Sequence, residues 1–173
     1  MSTEQGIHAE TASRYFFYLT VVNILIAAAA TAPVLDPHLG LPIKVSHWPG
    51  TWMFIAYFAF LIVGVLGMLA WAVIYYMLPR LFNKTKVNQT LFYGQLVLLE
   101  VSVVGATALI GIFPGYVGGT LIQQGFGDFI VTRVIEWTVV PIGIFILLAI
   151  VATLTGLANI IFSRAGPPLT EQG

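Results

Sequence analysis

The chain has 173 residues, 58% of them hydrophobic and only 8% charged, and its seven basic and seven acidic side chains cancel. Soluble domains carry about 25% charged residues, so this composition excludes an ordinary water-coated domain, and the balanced charge leaves no basic patch for nucleic acid. The absence of cysteine excludes disulfides, thiolate zinc sites and iron–sulfur clusters.

Residues 1–14 are polar and hold Glu4 and Glu10. They lack the basic start and short apolar core of a signal peptide, so the segment is expected to be retained. The first apolar run covers residues 15–32, with Asn23 inside it and no charge. A membrane helix needs roughly 20 apolar residues, so this run just spans. Tyr15, Phe16, Phe17 and Tyr18 read as an aromatic belt at its start. Ala27 to Ala30 offer a smooth face for close helix approach, and Pro33 is expected to end the helix. A Pro-rich loop follows, with His38, Lys44 and His47.

The second run, residues 51–78, carries no charge. Its 28 residues would reach roughly 42 Å as a helix, so it must tilt or project beyond the hydrocarbon. Gly64 and Gly67 mark a packing seam, and Trp71, Tyr75 and Tyr76 read as anchors at the interface. Arg80, Lys84 and Lys86 form a basic link. The third run covers residues 88–113 and contains Glu100; Pro114, Gly115, Gly118, Gly119, Gly125 and Gly127 then read as a flexible loop. The fourth run covers residues 134–162, with Glu136 and a tolerated Pro141 near its start. Arg133 and Glu136, three apart, are expected to form a local ion pair, with Asp128 and Arg133 as the alternative pair.

The fold class read from this pattern is an all-α integral membrane four-helix bundle forming one domain. Orientation follows from cationic residues. Arg14, Arg80, Lys84, Lys86 and Arg164 fall on one side, Lys44 and Arg133 on the other. That asymmetry puts both termini in the cytoplasm of a multi-pass cell-membrane protein, with His47 facing outward.

Two residues are candidates for chemistry. His47 stands at the mouth of the second helix, a rigid mount for a haem axial ligand; the competing reading is an interfacial histidine bonded to loop backbone. No other helix carries a histidine, and Met53 and Met68 are the available soft ligands. Glu100 lies near mid-membrane, where a charge costs roughly 2.5–3.5 kcal/mol. It should face the bundle, be protonated, or pair with Gln95, Ser102, Thr107 or another chain. It reads either as a proton relay or polar contact to a partner, or as a buried acid that fixes packing.

From Arg14-Tyr15-Phe16-Phe17-Tyr18-Leu19, through His47 and Gly50 opening the second helix, to Tyr75-Tyr76-Met77-Leu78-Pro79-Arg80 closing it, the chain resembles the N-terminal four helices of subunit I of haem–copper oxidases. Within that family it is similar to the ba3-like branch and the nitric oxide reductases. The resemblance implies that His47 is one axial ligand of a low-spin haem shared with a partner chain. In the family His and Gly are adjacent, whereas here Trp48-Pro49 intervene. The family's remaining ligands come from later helices, so the expected role is a subunit of a respiratory, electron-transport complex that is not catalytic alone. The alternative is a purely structural subunit of a larger membrane enzyme, such as a membrane monooxygenase. A small transporter is a third reading, weakened by the sparse polar inventory of the spans. Partners are expected to be other membrane subunits and the lipid bilayer.

Overall fold

The computed structural model describes residues 6–35 and 48–165. It is an all-α bundle in which four helices are long and apolar enough to cross a membrane. We label them α1 (Ala9–Leu35), α2 (Trp52–Phe82), α3 (Gln89–Gln123) and α4 (Asp128–Ile161). Three short strands, β1 (Gly6–His8), β2 (Lys84–Asn88) and β3 (Arg164–Ala165), form an antiparallel sheet in that order. The sheet ties the start of α1, the α2–α3 link and the end of α4 to one end of the bundle. Arg14, Arg80, Lys84, Lys86 and Arg164 therefore gather at that end, as the charge pattern requires.

Each helix buries one stripe. In α1 the stripe is Ala9, Ala12, Phe16, Thr20, Asn23 and Ala27, and in α2 it is Met68, Trp71, Ala72, Tyr75 and Leu78. The spacing of three and four places these residues on a single face. The opposite faces are apolar and exposed, from Tyr18 and Leu25 on α1 to Val140 and Leu154 on α4. Lipid is as apolar as leucine, so close packing and hydrogen bonds hold such helices together. Glycine supplies the closeness. A methyl group on Gly105 would stand 2.5 Å from the Phe145 ring, and one on Gly64 would stand 3.1 Å from Phe60 and 3.2 Å from Val103.

The helices overrun the expected bounds. The first turns of α1 lie in the segment read as a polar tail, and its backbone continues past Pro33 to Leu35. The largest difference is at Pro114. The third helix does not end in a flexible loop there; it runs on to Gln123 through a wider π-helical turn, Gly111–Gly118. Breaking a helix among apolar groups would strand backbone N–H and C=O groups, and the wide turn absorbs the proline instead. The glycines of this segment are contact points. Gly115 meets Met53 at 2.6 Å from where its Cβ would be, Gly118 meets Pro49 at 2.6 Å, and Gly111 meets Ala56 at 3.4 Å. They carry the half of α2 remote from the sheet on the corresponding half of α3.

Pro79 sits inside α2, which ends three residues later at Phe82 and is capped by Asn83, whose φ of 54° is left-handed. Asparagine tolerates that conformation and caps helices there. The Lys84 ammonium donates to the carbonyls of Ile160 at 2.9 Å and Ile161 at 3.0 Å, placing a cation at the negative end of α4. Arg133 and Glu136 do not pair. A 3-10 turn, Glu136–Thr138, rephases the helix just before Pro141, and Arg133 lies 5.3 Å from the Phe129 ring instead.

Candidate functional site

Two clusters of polar side chains lie inside the bundle. The first is near mid-span. The Asn23 amide on α1 donates one hydrogen to the Gly64 carbonyl of α2 at 2.8 Å and the other to Glu100 Oε2 of α3 at 3.1 Å. Gly64 lies in a π-helical turn, Phe60–Gly67, where the Met68 N–H turns to Val65. Such turns re-aim helical carbonyls, and here the carbonyl accepts from a side chain on another helix. Gly64 also lets α3 come close, so one residue serves both purposes. Asn23 is fully buried, and its Oδ1 has no hydrogen-bond partner. Glu100 is only partly buried.

The second cluster is nearer the sheet. The Tyr75 hydroxyl of α2 donates to Gln95 Oε1 of α3 at 2.6 Å and accepts from Asn159 Nδ2 of α4 at 3.3 Å. Asn159 Oδ1 in turn accepts from the Asn88 backbone N–H at 2.9 Å. The Asn88 side chain caps α3 by accepting from the Leu91 N–H at 3.0 Å. Tyr75, Gln95 and Asn159 are all fully buried. An aromatic box closes round them: Phe16 stacks on Tyr75 at 5.7 Å between ring centres, and Phe92 meets it edge-on at 5.8 Å. The Gln95 amide also lies against Gly156, where any side chain would collide with it and with the Trp71 ring.

Of the residues singled out from sequence, Glu100 is placed as expected, facing the bundle at mid-span, but its partner is Asn23. Gln95 lies five residues back along α3 and points elsewhere; Ser102 donates to the Leu99 carbonyl and Thr107 to the Val103 carbonyl. A helical turn of 3.6 residues puts positions five apart on different faces. Tyr75 is corrected as well, since it is no interfacial anchor and has no exposed surface. The sign was present in the sequence: Met68, Ala72, Tyr75 and Pro79 recur at the helical interval of three or four. Tyr76, its neighbour, is the exposed one, with the Arg80 guanidinium 3.8 Å over its ring. Within the aromatic belt, Phe16 is buried while Tyr15, Phe17 and Tyr18 are exposed.

His47 and His38 lie outside the described residues. Among the described residues no group of three metal-ligating side chains converges, and His8 lies in β1 at the sheet end. Met53 is seated on Gly115 and half-buried, and Met68 is fully buried in the core. In the half of the bundle remote from the sheet, a groove of ≈ 390 Å³ is lined by apolar groups and the hydroxyl-bearing Tyr57, Thr107 and Tyr116. Pro49 and Met53 press directly on the α3 glycines there. No family model matches the chain, and no curated protein or solved structure matches it either.

Proposed function

We propose that the chain is an integral membrane subunit of a larger hetero-oligomeric enzyme of the cell membrane, not catalytic alone, with Glu100 as its polar contact to a partner helix. One observation carries this reading. Asn23 is the sole hydrogen-bond partner of the Glu100 carboxyl among the described residues, and the carboxyl is left partly uncovered at the depth where a charged group is most costly. A partner helix that donates to it would offset that cost. Long helices support the same reading. α3 has 35 residues and α4 has 34, roughly 50 Å each, well beyond a hydrocarbon core of about 30 Å. Surrounding subunits would cover the excess.

The resemblance of the His47–Gly50 helix opening to haem–copper oxidase subunit I supports placing this subunit in a respiratory complex. A haem held by His47 would then lie on the outer face and be shared with a partner chain. The alternative class is a structural subunit of another membrane enzyme, such as a membrane monooxygenase. The cationic sheet end supports a cytoplasmic position for both termini.

The test is purification of the tagged chain in mild detergent, with quantified co-purifying membrane proteins and a reduced-minus-oxidised spectrum. Glu100→Gln keeps a hydrogen-bonding group and should keep its partners. Glu100→Leu should lose about tenfold of them, the effect of roughly 1.4 kcal/mol and within the range of one interhelical hydrogen bond. A chain that purifies without any other protein, or a Glu100→Leu variant with its full partner set, refutes the subunit reading. The respiratory class stands on a Soret band that His47→Ala removes. An assembled complex with no Soret band moves the chain to the alternative class.

A further inference from the structure

A groove between α1 and α2 at the sheet end takes no part in either polar cluster. Its floor is set where Ser13 Oγ donates to the Ala72 carbonyl at 2.8 Å, drawing the two helices together. Above that point the walls part around a volume of ≈ 490 Å³. Phe17 and Tyr18 of α1 face Leu69, Val73 and Tyr76 of α2, and Arg14 stands at the mouth. The Tyr76 ring, part of the groove wall, carries the Arg80 guanidinium 3.8 Å above its centre, which brings a second cation to the same end of the groove. Neither guanidinium has a carboxylate partner among the described residues.

Depth orders these groups. Arg14 belongs to the second turn of α1 and Arg80 to the last turn of α2, level with the cationic end of the bundle. Leu69 lies seven residues before Tyr76, roughly 10 Å deeper along α2. The groove is thus cationic at the boundary and apolar below it. Two guanidiniums without a carboxylate partner among the described residues offer bidentate donors that match phosphate oxygens, and a trough of aromatic and branched side chains matches a hydrocarbon chain. A free phosphate ion would use the first feature and leave the second empty.

We propose that this groove binds an anionic phospholipid of the leaflet at the sheet end, with its phosphate between Arg14 and Arg80 and one hydrocarbon chain along Phe17, Val73 and Leu69. The site is independent of Glu100 and of the partner it contacts. The separate pocket at the sheet, lined by Lys86, Asn88 and Arg164 together with Leu91 and Phe162, is the more polar of the two and serves as the internal control.

The full chain in mild detergent is titrated with phosphatidylglycerol or phosphatidylcholine, and bound lipid is counted by native mass spectrometry. One phosphatidylglycerol should be retained in preference to phosphatidylcholine. A single cation near a membrane surface is worth about fivefold in anionic-lipid affinity, so Arg14→Gln or Arg80→Gln should weaken binding about fivefold and the double variant roughly 25-fold. The double Lys variant should recover part of the loss, and Lys86→Gln should bind as the unaltered chain does. Equal retention of the two lipids by the unaltered chain overturns the proposal. So does a Lys86→Gln loss as large as that of the double variant. Should the double Gln variant fail to fold, photoactivatable phosphatidylglycerol on the unaltered chain decides. Cross-links at Tyr18 or Val73 support the groove, and cross-links confined to the Lys86 pocket refute it.

Discussion

Removing one oxygen atom tests the inner polar cluster. Tyr75→Phe keeps the ring that stacks on Phe16 and meets Phe92, so the aromatic box stays filled and only the hydroxyl is lost. Two hydrogen bonds go with it, the 2.6 Å bond to Gln95 and the 3.3 Å bond from Asn159. Interhelical hydrogen bonds in membranes average about 0.6 kcal/mol and reach about 1.7 kcal/mol. The short bond belongs near the upper value and the long one near the lower, which gives about 2 kcal/mol together. The sites left behind argue for the same size. Gln95 already has an unpartnered Nε2; without the hydroxyl its Oε1 is stranded too, and Asn159 Nδ2 with it. Stranding a buried polar atom costs about 1–3 kcal/mol.

A loss of 2 kcal/mol changes the folded-to-unfolded ratio about 30-fold. Reversible unfolding in mixed micelles, followed by tryptophan fluorescence, reads it directly. A double-mutant cycle with Gln95→Met isolates the pair, because methionine has similar length and no hydrogen-bonding amide. The coupling energy should exceed about 0.6 kcal/mol. A Tyr75→Phe variant within about 0.3 kcal/mol of the unaltered chain, or strict additivity in the cycle, would falsify the view that this hydroxyl joins three helices.

Two further substitutions probe the helix seams. Gly105→Ala drives a methyl group to 2.5 Å from the Phe145 ring, so it should destabilise the α3–α4 pair by about 1–3 kcal/mol in the same unfolding assay, with Phe145→Leu restoring part of the loss. Asn88→Ala removes the cap on the Leu91 N–H and should cost about 1 kcal/mol, visible as faster hydrogen exchange in the first turn of α3 with little change in mid-helix.

Four helices and a cationic end could be read directly from the chain, because apolar length and Lys/Arg asymmetry are one-dimensional properties that survive folding. Glu100 was visible for the same reason, as a lone carboxyl in an apolar run. Its partner was not. Asn23 and Glu100 are 77 residues apart, and their meeting depends on a π-helical turn that re-aims the Gly64 carbonyl. Pro114 and its glycines misled in the opposite direction. In water they would break a helix; among apolar neighbours the broken backbone has nowhere to bond, so the helix persists and the glycines become the surface on which Met53 and Pro49 rest. The sheet escaped notice because its strands are only two to five residues long and have no alternating pattern to betray them. His47, the residue that carries the family resemblance, lies outside the described residues, so its role rests on the spectrum of the purified chain.

The two polar clusters divide the work of specifying the bundle. Apolar contact in a membrane scarcely distinguishes one helix pairing from another, since lipid competes on equal terms. Polar pairs do distinguish, because an unpartnered amide or hydroxyl is penalised in every alternative packing. The mid-span cluster ties α1 to α2 and α3 through Asn23, and the inner cluster ties α2 to α3 and α4 through Tyr75. Together they fix all four helices, and α2 and α3, which take part in both, supply the common reference. Each cluster also fixes rotation, because Asn23 and Tyr75 sit on the buried stripe and a turn of either helix would expose an amide or hydroxyl to lipid. The acid differs from the rest. Asn23, Tyr75, Gln95 and Asn159 are fully buried, whereas Glu100 keeps an open side. That uncovered side is the one on which the proposed partner helix would sit.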